Sequence, residues 1–298
     1  MNTIPVISVL MPAYNVEKYV SEAIESILNQ TFSDFEFIII NDGSTDDTAE
    51  IIEKYAKQDK RIRFINNKKN KGLIAVLNEG LNLARGKYIA RMDSDDISYP
   101  ERFAKQIKYM EKHPECGVLG TAAQNFGADD HAYYNPYEVT MFDLFRGVPF
   151  YHPSVMFRKE VFDKYHLRYD PDYYLVEDYE LWTRLLTITK MNNLQEILLN
   201  YRVHPKSVSV SNHELQEKNK QRVKSNLVEI LSTNAFKLFG FDKTKYVKVL
   251  KYINLLVIKH KSHNNIKVYL FGYIPLVKIK QNKVLLFHFM PIAKIKRS

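Results

Sequence analysis

The chain is poor in features that mark several common designs. It has one cysteine, Cys116, in 298 residues. No internal disulfide can form, which excludes a disulfide-stapled secreted scaffold. None of its ten glycines follows the first apolar run closely. The segment PAYNVEKY therefore lacks both the GxGxxG of a dinucleotide fold and the glycine-rich basic loop of a nucleotidyltransferase. No apolar stretch approaches the roughly 18–20 residues that span a bilayer. The longest, Ile253–Ile258 and Val284–Ala293, are short, and Pro291 interrupts the second. The opening MNTIPVISVLMPAYN has no basic residue ahead of its apolar run and does not read as a signal peptide. The cytoplasm is the expected compartment. Acidic residues are missing altogether after Asp242.

What is present is an ordinary globular composition, 45% hydrophobic and 26% charged, long enough to bury a sizeable core. The net charge of +9 is unevenly placed. Residues 207–298 hold 18 of the 43 Lys/Arg but 4 of the 34 Asp/Glu, a net of +14, which leaves the first 206 residues at −5. An acidic body carrying a basic tail needs two explanations. The tail contains a repeat: KVYLFGYIPLVKIK (Lys267–Lys280) and KVLLFHFMPIAKIK (Lys283–Lys296) agree at 8 of 14 positions. Two copies are too few for a solenoid. They suggest a small hairpin turning at Lys280–Lys283, or two basic, aromatic membrane-facing segments.

The body alternates. Apolar runs at Val6–Met11 and Phe35–Ile40, and the segments Arg61–Ile65 and Lys87–Met92, read as strands. Helical periodicity follows each, over Glu17–Leu28, Thr48–Lys57, Gly72–Ala84 and from Pro100 to about Lys112. Thr45 or Asp46 can cap the second of these helices. Four such rounds predict a parallel sheet with helices on both faces. Ligands in these sheets sit outside the carboxyl ends of the strands, where Pro12–Asn15, Asn41–Asp42 and Asp93–Asp96 fall. Further strands are expected at Val118–Thr121, Pro153–Phe157 and Ile197–Val203, a loop at Gly127–Tyr137 and a helix within Leu175–Thr189. From Glu214 onward helices should dominate, over roughly Glu214–Leu238 and Lys245–Lys259.

Asp93-Ser94-Asp95 places two carboxylates at the end of a strand, hard oxygen ligands of the kind Mg²⁺ and Mn²⁺ prefer alongside substrate phosphates. In isolation such a pair is more often a solvated loop; its place on the ligand edge, with Asp42 nearby, favours a site. At this point the sequence resembles a known family. SVLMPAYNVEKYVSEAIESILNQTFSDFEFIIINDGSTDDT, then NKGLIAVLNEGLNLARGKYIARMDSDD, EDYELWTRL and YRVHPKSVS are similar, in order and spacing, to the family 2 glycosyltransferases of GT-A fold. The resemblance covers about residues 5–210.

It implies a role for each matching position. Pro12, Ala13, Tyr14 and Asn15 would hold the nucleotide base, Tyr14 by packing against it unless it is a buried loop tyrosine. Glu17 would contact the nucleotide or merely cap a helix. Asp42 would accept the uracil N3–H, and Lys71 would flank the nucleotide. Asp93, with Ser94 beside it, would meet the ribose. Asp95 and His204 would hold Mn²⁺ or Mg²⁺, and Asp96 would support the loop. In the Glu177-Asp178 pair, Asp178 would be the general base that deprotonates an acceptor hydroxyl. Trp182 would floor the acceptor site or sit in the core, and His152 is a weaker acceptor candidate.

The expectation is therefore an α/β, GT-A-type, mostly parallel nucleotide-binding sheet over residues 1–213, with a helical, basic C-terminal region over 214–298. The resemblance implies an inverting transferase using a nucleotide-diphosphate sugar, UDP-linked before others, on a glycan or lipid-linked acceptor. The basic aromatic tail suggests peripheral attachment to an anionic membrane, or packing on a partner subunit. No nucleic-acid-binding motif accompanies the charge, and an oligomer is left open. The competing readings are a sugar nucleotidyltransferase and a non-catalytic membrane-bound scaffold with a transferase-like body.

Overall fold

The computed structural model describes residues 4–204 and 212–239, together with four strands at 257–262, 265–270, 274–280 and 283–286. The chain divides into two compact units, Met1–Val223 and Lys224–Ser298. The first is built on β1 (Ile7–Ala13), β2 (Phe35–Asp42), β3 (Ile62–Asn67) and β4 (Tyr88–Arg91), which alternate with α1 (Val20–Leu28), α2 (Thr48–Gln58) and α3 (Leu73–Leu83). β5 (Ile97–Ser98), α4 (Arg102–Lys112), β6 (Cys116–Gly127) and β7 (Ala132–Tyr133) follow. Next come α5 (Met141–Arg146), β8 (Met156–Arg158), α6 (Lys159–Lys164), α7 (Glu177–Leu185), β9 (Lys190–Val203) and α8 (His213–Phe239). Short 3-10 turns occupy His152–Ser154 and Pro171–Tyr173.

The sheet runs β3-β2-β1-β4-β8-β6-β9-β5, with β7 hairpinned onto β6. The first four strands are mutually parallel, as their alternation with helices predicts. β8 enters antiparallel between β4 and β6. One face, with Ile7, Val9, Met11, Phe37 and Ile39, packs on α1, α2 and α4 through Val20, Ile24, Ile27, Ile52 and Phe103. Each such buried side chain contributes about 1.5–3 kcal/mol. The other face receives α3, where a Cβ added to Gly80 would lie 2.0 Å from a Leu10 methyl. Pro12 is tolerated in a central strand because β4 pairs with β1 only as far as Leu10. The proline's missing N–H falls just beyond that ladder.

Three regions depart from expectation. Pro153 opens a 3-10 turn, and the strand begins only at Met156. The loop at Gly127–Tyr137 contains β7. β9 starts seven residues before Ile197, because its interior asparagines are bonded. Asn193 is fully buried, and its amide donates to the carbonyls of Pro136 (2.8 Å) and Pro149 (3.2 Å). α8 falls where the first C-terminal helix is expected. Of Lys245–Lys259, expected as a second helix, only the last residues are described, and they belong to strand β10 (Val257–Ser262). β10, β11 (Asn265–Leu270), β12 (Ile274–Lys280) and β13 (Lys283–Leu286) form an antiparallel sheet in that order. The Lys280–Lys283 pair closes the hairpin expected from the repeat; the rest of the second copy lies outside the described residues. No helix among the described residues is long and apolar enough to cross a membrane.

One buried charge ties this fold together. Glu36, 4% exposed, accepts from Ser8 Oγ (2.7 Å), Arg85 N (2.9 Å), Arg85 Nε (3.0 Å) and Arg63 NH1 (2.6 Å). Burial alone would raise its pKa, but these bonds outweigh burial and lower it. A lowered folded pKa gives stability that is present above the ordinary carboxylate value and lost as pH falls through the folded one. Glu36→Gln is expected to cost about 2 kcal/mol at pH 7, with the gap to wild type closing as pH drops below 4. Urea unfolding at pH 7 and at low pH checks this; a pH-independent gap would contradict it.

Candidate active site

The loops after β1 and β2 are sewn into one surface. Asn15 sits in the left-handed region (φ 52°), which asparagine tolerates. Its N–H donates to Ser44 Oγ (3.0 Å), and its Oδ1 accepts from Thr45 N (2.9 Å). Val16 N donates to Thr48 Oγ1 (2.8 Å). Asp46 accepts from Glu17 N (3.2 Å) and, at the start of α2, from Thr48 N (3.1 Å). Pro12 and Ala13 are buried strand residues rather than loop, whereas the Tyr14 ring is 47% exposed and available for packing. The exposed Glu17 accepts from Asp47 N (3.1 Å) at the start of α2 with one of its two oxygens.

Asp42, at the end of β2, is 4% exposed. Its two oxygens accept the backbone N–H groups of Lys71 and Gly72, both at 2.9 Å. Gly43 makes this approach possible. Its φ is +71°, and a Cβ there would lie 2.6 Å from the Lys69 carbonyl carbon. The Lys71 ammonium points to Glu79 (3.0 Å).

After β4, Asp93, Asp95 and Asp96 bring one oxygen each within 4.8 Å of one another. Ser94 between them is buried. His204, at the end of β9, approaches Asp95 Oδ2 with Nε2 at 3.1 Å and stacks on Tyr19 with centroids 5.2 Å apart. Asp96 Oδ1 accepts from Arg202 N (2.8 Å), so this residue does support the loop. Its Oδ2 is buried and has no hydrogen-bond partner among the described residues. Burial, then the Asp93 charge, raises the pKa of Asp95; burial, then Asp93 and Asp95, pushes that of Asp96 well up. Such carboxylates bind either protons or a cation. Three aspartates and an imidazole fit Mg²⁺ or Mn²⁺.

Sequence reasoning did not single out two arginines here. Arg202 bridges the loops: Nε donates to the Asp95 carbonyl (2.7 Å), NH2 to Glu22 (2.5 Å), and the guanidinium lies over Tyr19 (4.6 Å) and Phe126 (4.4 Å). It adjoins His204 in the YRVH segment, the one signal that could have found it. Arg91, 3% exposed at the end of β4, is ion-paired with Asp93. Its charge also reaches Glu177 and Asp178. That charge favours the ionised forms of the α7 pair, against the burial that disfavours them.

Glu177 and Asp178 open α7. Burial, and then the neighbouring Asp178 charge, pushes Glu177 up to about 7. Burial likewise raises Asp178, whose Oδ1 accepts from Tyr179 N at 2.7 Å. A carboxylate held near neutral pKa is a stronger base than a solvated one. His152 Nε2 lies 2.8 Å from Tyr169 Oη. Burial and the Arg91 charge hold this imidazole well below its ordinary range, in the neutral form. Trp182 is fully buried against Phe150, Phe157 and His152, with centroids at 5.0, 5.7 and 5.9 Å. It cannot floor an acceptor pocket; it backs His152 from the core, and the acceptor-site expectation is corrected accordingly.

A parallel α/β edge that carries an aspartate cluster with a histidine against it, together with a buried carboxylate pair at the start of α7, has the layout of a GT-A glycosyltransferase. Residues 8–166 match the family described as Glycosyl transferase family 2, and the chain belongs to that family. An uncharacterized glycosyltransferase of Haemophilus influenzae is 35% identical over 285 residues, covering 89% of this chain and 84% of the relative. The O-antigen biosynthesis glycosyltransferase WbnJ of Escherichia coli is 36% identical over 220 residues, covering 71% and 85%. S. aureus TarS 1-349, solved in complex with UDP-GlcNAc, is 19% identical with a TM-score of 0.63, covering 81% of this chain and 78% of that one; this is a likeness of fold. The protein is a glycosyltransferase.

Proposed function

We propose that the protein transfers a hexosyl or N-acetylhexosaminyl group, with inversion, from a UDP-sugar to a hydroxyl of a surface-glycan or lipid-linked acceptor. The observation that carries this reading is the cluster of Asp93, Asp95 and Asp96 after β4, with His204 against Asp95 and Arg91 paired to Asp93. Asp42, whose oxygens already accept Lys71 N and Gly72 N, would use a remaining lone pair for the N3–H of a uracil. TarS in complex with UDP-GlcNAc supports the donor class, and WbnJ supports a surface-glycan product.

Asp93, with Ser94 beside it, would meet the ribose. Asp95, Asp96 and His204 would hold the cation, which when bound supplies positive charge against the departing diphosphate. Asp178 takes the proton from the acceptor hydroxyl as its oxygen attacks the anomeric carbon. One base on the face opposite the leaving group gives inversion. Arg91 keeps Asp93 and the pair from repelling one another.

A screen of nucleotide release across UDP-, GDP-, CDP- and dTDP-sugars is expected to favour a UDP-sugar and to require Mn²⁺ or Mg²⁺. A preference for another nucleotide, or equal release in EDTA, would remove the corresponding part of the proposal.

The site of action we propose is the inner face of the cell membrane, held by the basic C-terminal region. Thirteen Lys/Arg follow Asp242, and each near an anionic leaflet is worth about 1 kcal/mol. The full chain should co-sediment with phosphatidylserine-containing vesicles at low salt, and a chain lacking residues 262–298 should not. Equal sedimentation would end the anchor reading.

A further inference from the structure

We infer that the first turns of α8 belong to the acceptor side of the active site, with Gln216, Asn219 and Arg222 as positioning residues for Glu177 and Asp178. This rests on the reading of Asp178 as the base. The segment leading into α7 is poorly held by its own sequence. Its N-cap is Val176, which has no side-chain cap. Just before it, Leu175 adopts φ +70°, in the left-handed region that a leucine side chain disfavours. Such strain persists only where neighbours impose it, and it gathers at functional sites.

α8 imposes it. Three residues at helical spacing on one face reach the carbonyls of this segment. Gln216 Nε2 donates to Leu175 O (3.2 Å), Asn219 Nδ2 to Tyr174 O (2.9 Å), and Arg222 NH1 to Asp172 O (3.0 Å). The Arg222 guanidinium also lies over the Tyr173 ring at 4.5 Å. α8 packs as well, burying Val223. Beside that packing this face presents directed donors, and the last carbonyl they grip lies three residues before the base. Lys220 on the same turns is paired to Glu217 at 2.7 Å, and its charge favours the ionised form of Asp178. The grip fixes where the Asp178 carboxylate stands; the nucleotide side, built from the loops after β1, β2 and β4, does not depend on it.

The test is kinetic. Asn219→Ala, Gln216→Ala and Arg222→Ala are assayed by release of UDP from UDP-GlcNAc into water, alongside calorimetric UDP binding with Mn²⁺. The expected result is a fall in kcat of tenfold or more, with donor KM and UDP affinity within twofold of wild type. Arg222→Lys, which can still reach Asp172 O, should recover most of the loss. In an Asp178→Asn background, Asn219→Ala should lower the residual rate no further, because both changes act through one group. Unchanged kcat, or a loss of kcat matched by a loss of UDP affinity, overturns the inference. Full additivity with Asp178→Asn overturns it as well. Should Asn219→Ala fail to fold, the Arg222→Lys and Arg222→Ala pair decides. If the wild-type protein releases nucleotide from none of the UDP-, GDP-, CDP- or dTDP-sugars, the failure belongs to the proposed function instead.

Discussion

Asp178→Asn is expected to lower turnover by about 10²–10⁴-fold, the range of a lost general base, and to leave UDP affinity within about twofold. The amide keeps the shape and the bond from Tyr179 N, but it cannot accept the acceptor proton. Near-normal turnover would remove Asp178 from the mechanism. The pH profile carries a second check. Asp178 and Glu177 are both raised by burial, Glu177 to about 7, and the pair must carry a charge on Asp178 to work. The wild-type rate should therefore rise with pH as Asp178 loses its proton and level off once it is ionised, the limb lying above that of a solvated aspartate. Glu177→Gln removes the neighbouring charge, so the rising limb should move to lower pH.

Stability should move the opposite way. A carboxyl whose folded pKa is raised favours folding when protonated, and that contribution disappears as pH rises through the folded value. Glu177→Gln should therefore stabilise the fold at pH 8, on the order of 1–2 kcal/mol, and leave it unchanged at pH 4. Thermal melts at the two pH values read this directly.

Much of the nucleotide half was legible in the sequence because its strands are buried on both faces. Phe35–Ile40 and Lys87–Met92 are mostly apolar runs that lead into Asp42 and Asp93, so their edges and their polar loops could be read together. The acceptor half was harder. β9 hides its first half because Asn192 and Asn193 are buried yet polar, satisfied in part by carbonyls of a distant loop. Trp182 could be assigned to pocket or core only once its neighbours were known. Arg91 reads as a solvated charge in YIARMDSDD, yet it is buried as the counter-ion of Asp93. The grip of α8 on the α7 approach joins residues more than forty positions apart, and no local pattern announces it. Glu17 was ambiguous for a different reason: helix capping and nucleotide contact ask for the same carboxylate.

Asp95→Asn is expected to abolish the gain in UDP affinity that Mn²⁺ brings, with little effect on binding in EDTA. Asp95 contributes one of the three clustered carboxylate oxygens and is the aspartate that His204 orients, so its loss removes both a ligand and the partner of another. The cost should be tenfold or more in nucleotide affinity with metal present. The same substitution should have the reverse effect on the metal-free fold. Burial and the Asp93 charge disfavour an ionised Asp95, so a neutral amide relieves repulsion among carboxylates packed within 4.8 Å. In EDTA at pH 8 the variant should melt at or above the wild-type temperature. On adding Mn²⁺, the wild-type protein should rise in Tm by mass action and overtake it, while the variant stays where it was. A wild-type Tm and UDP affinity indifferent to Mn²⁺ and Mg²⁺ would show that the cluster serves the loop and not a cation.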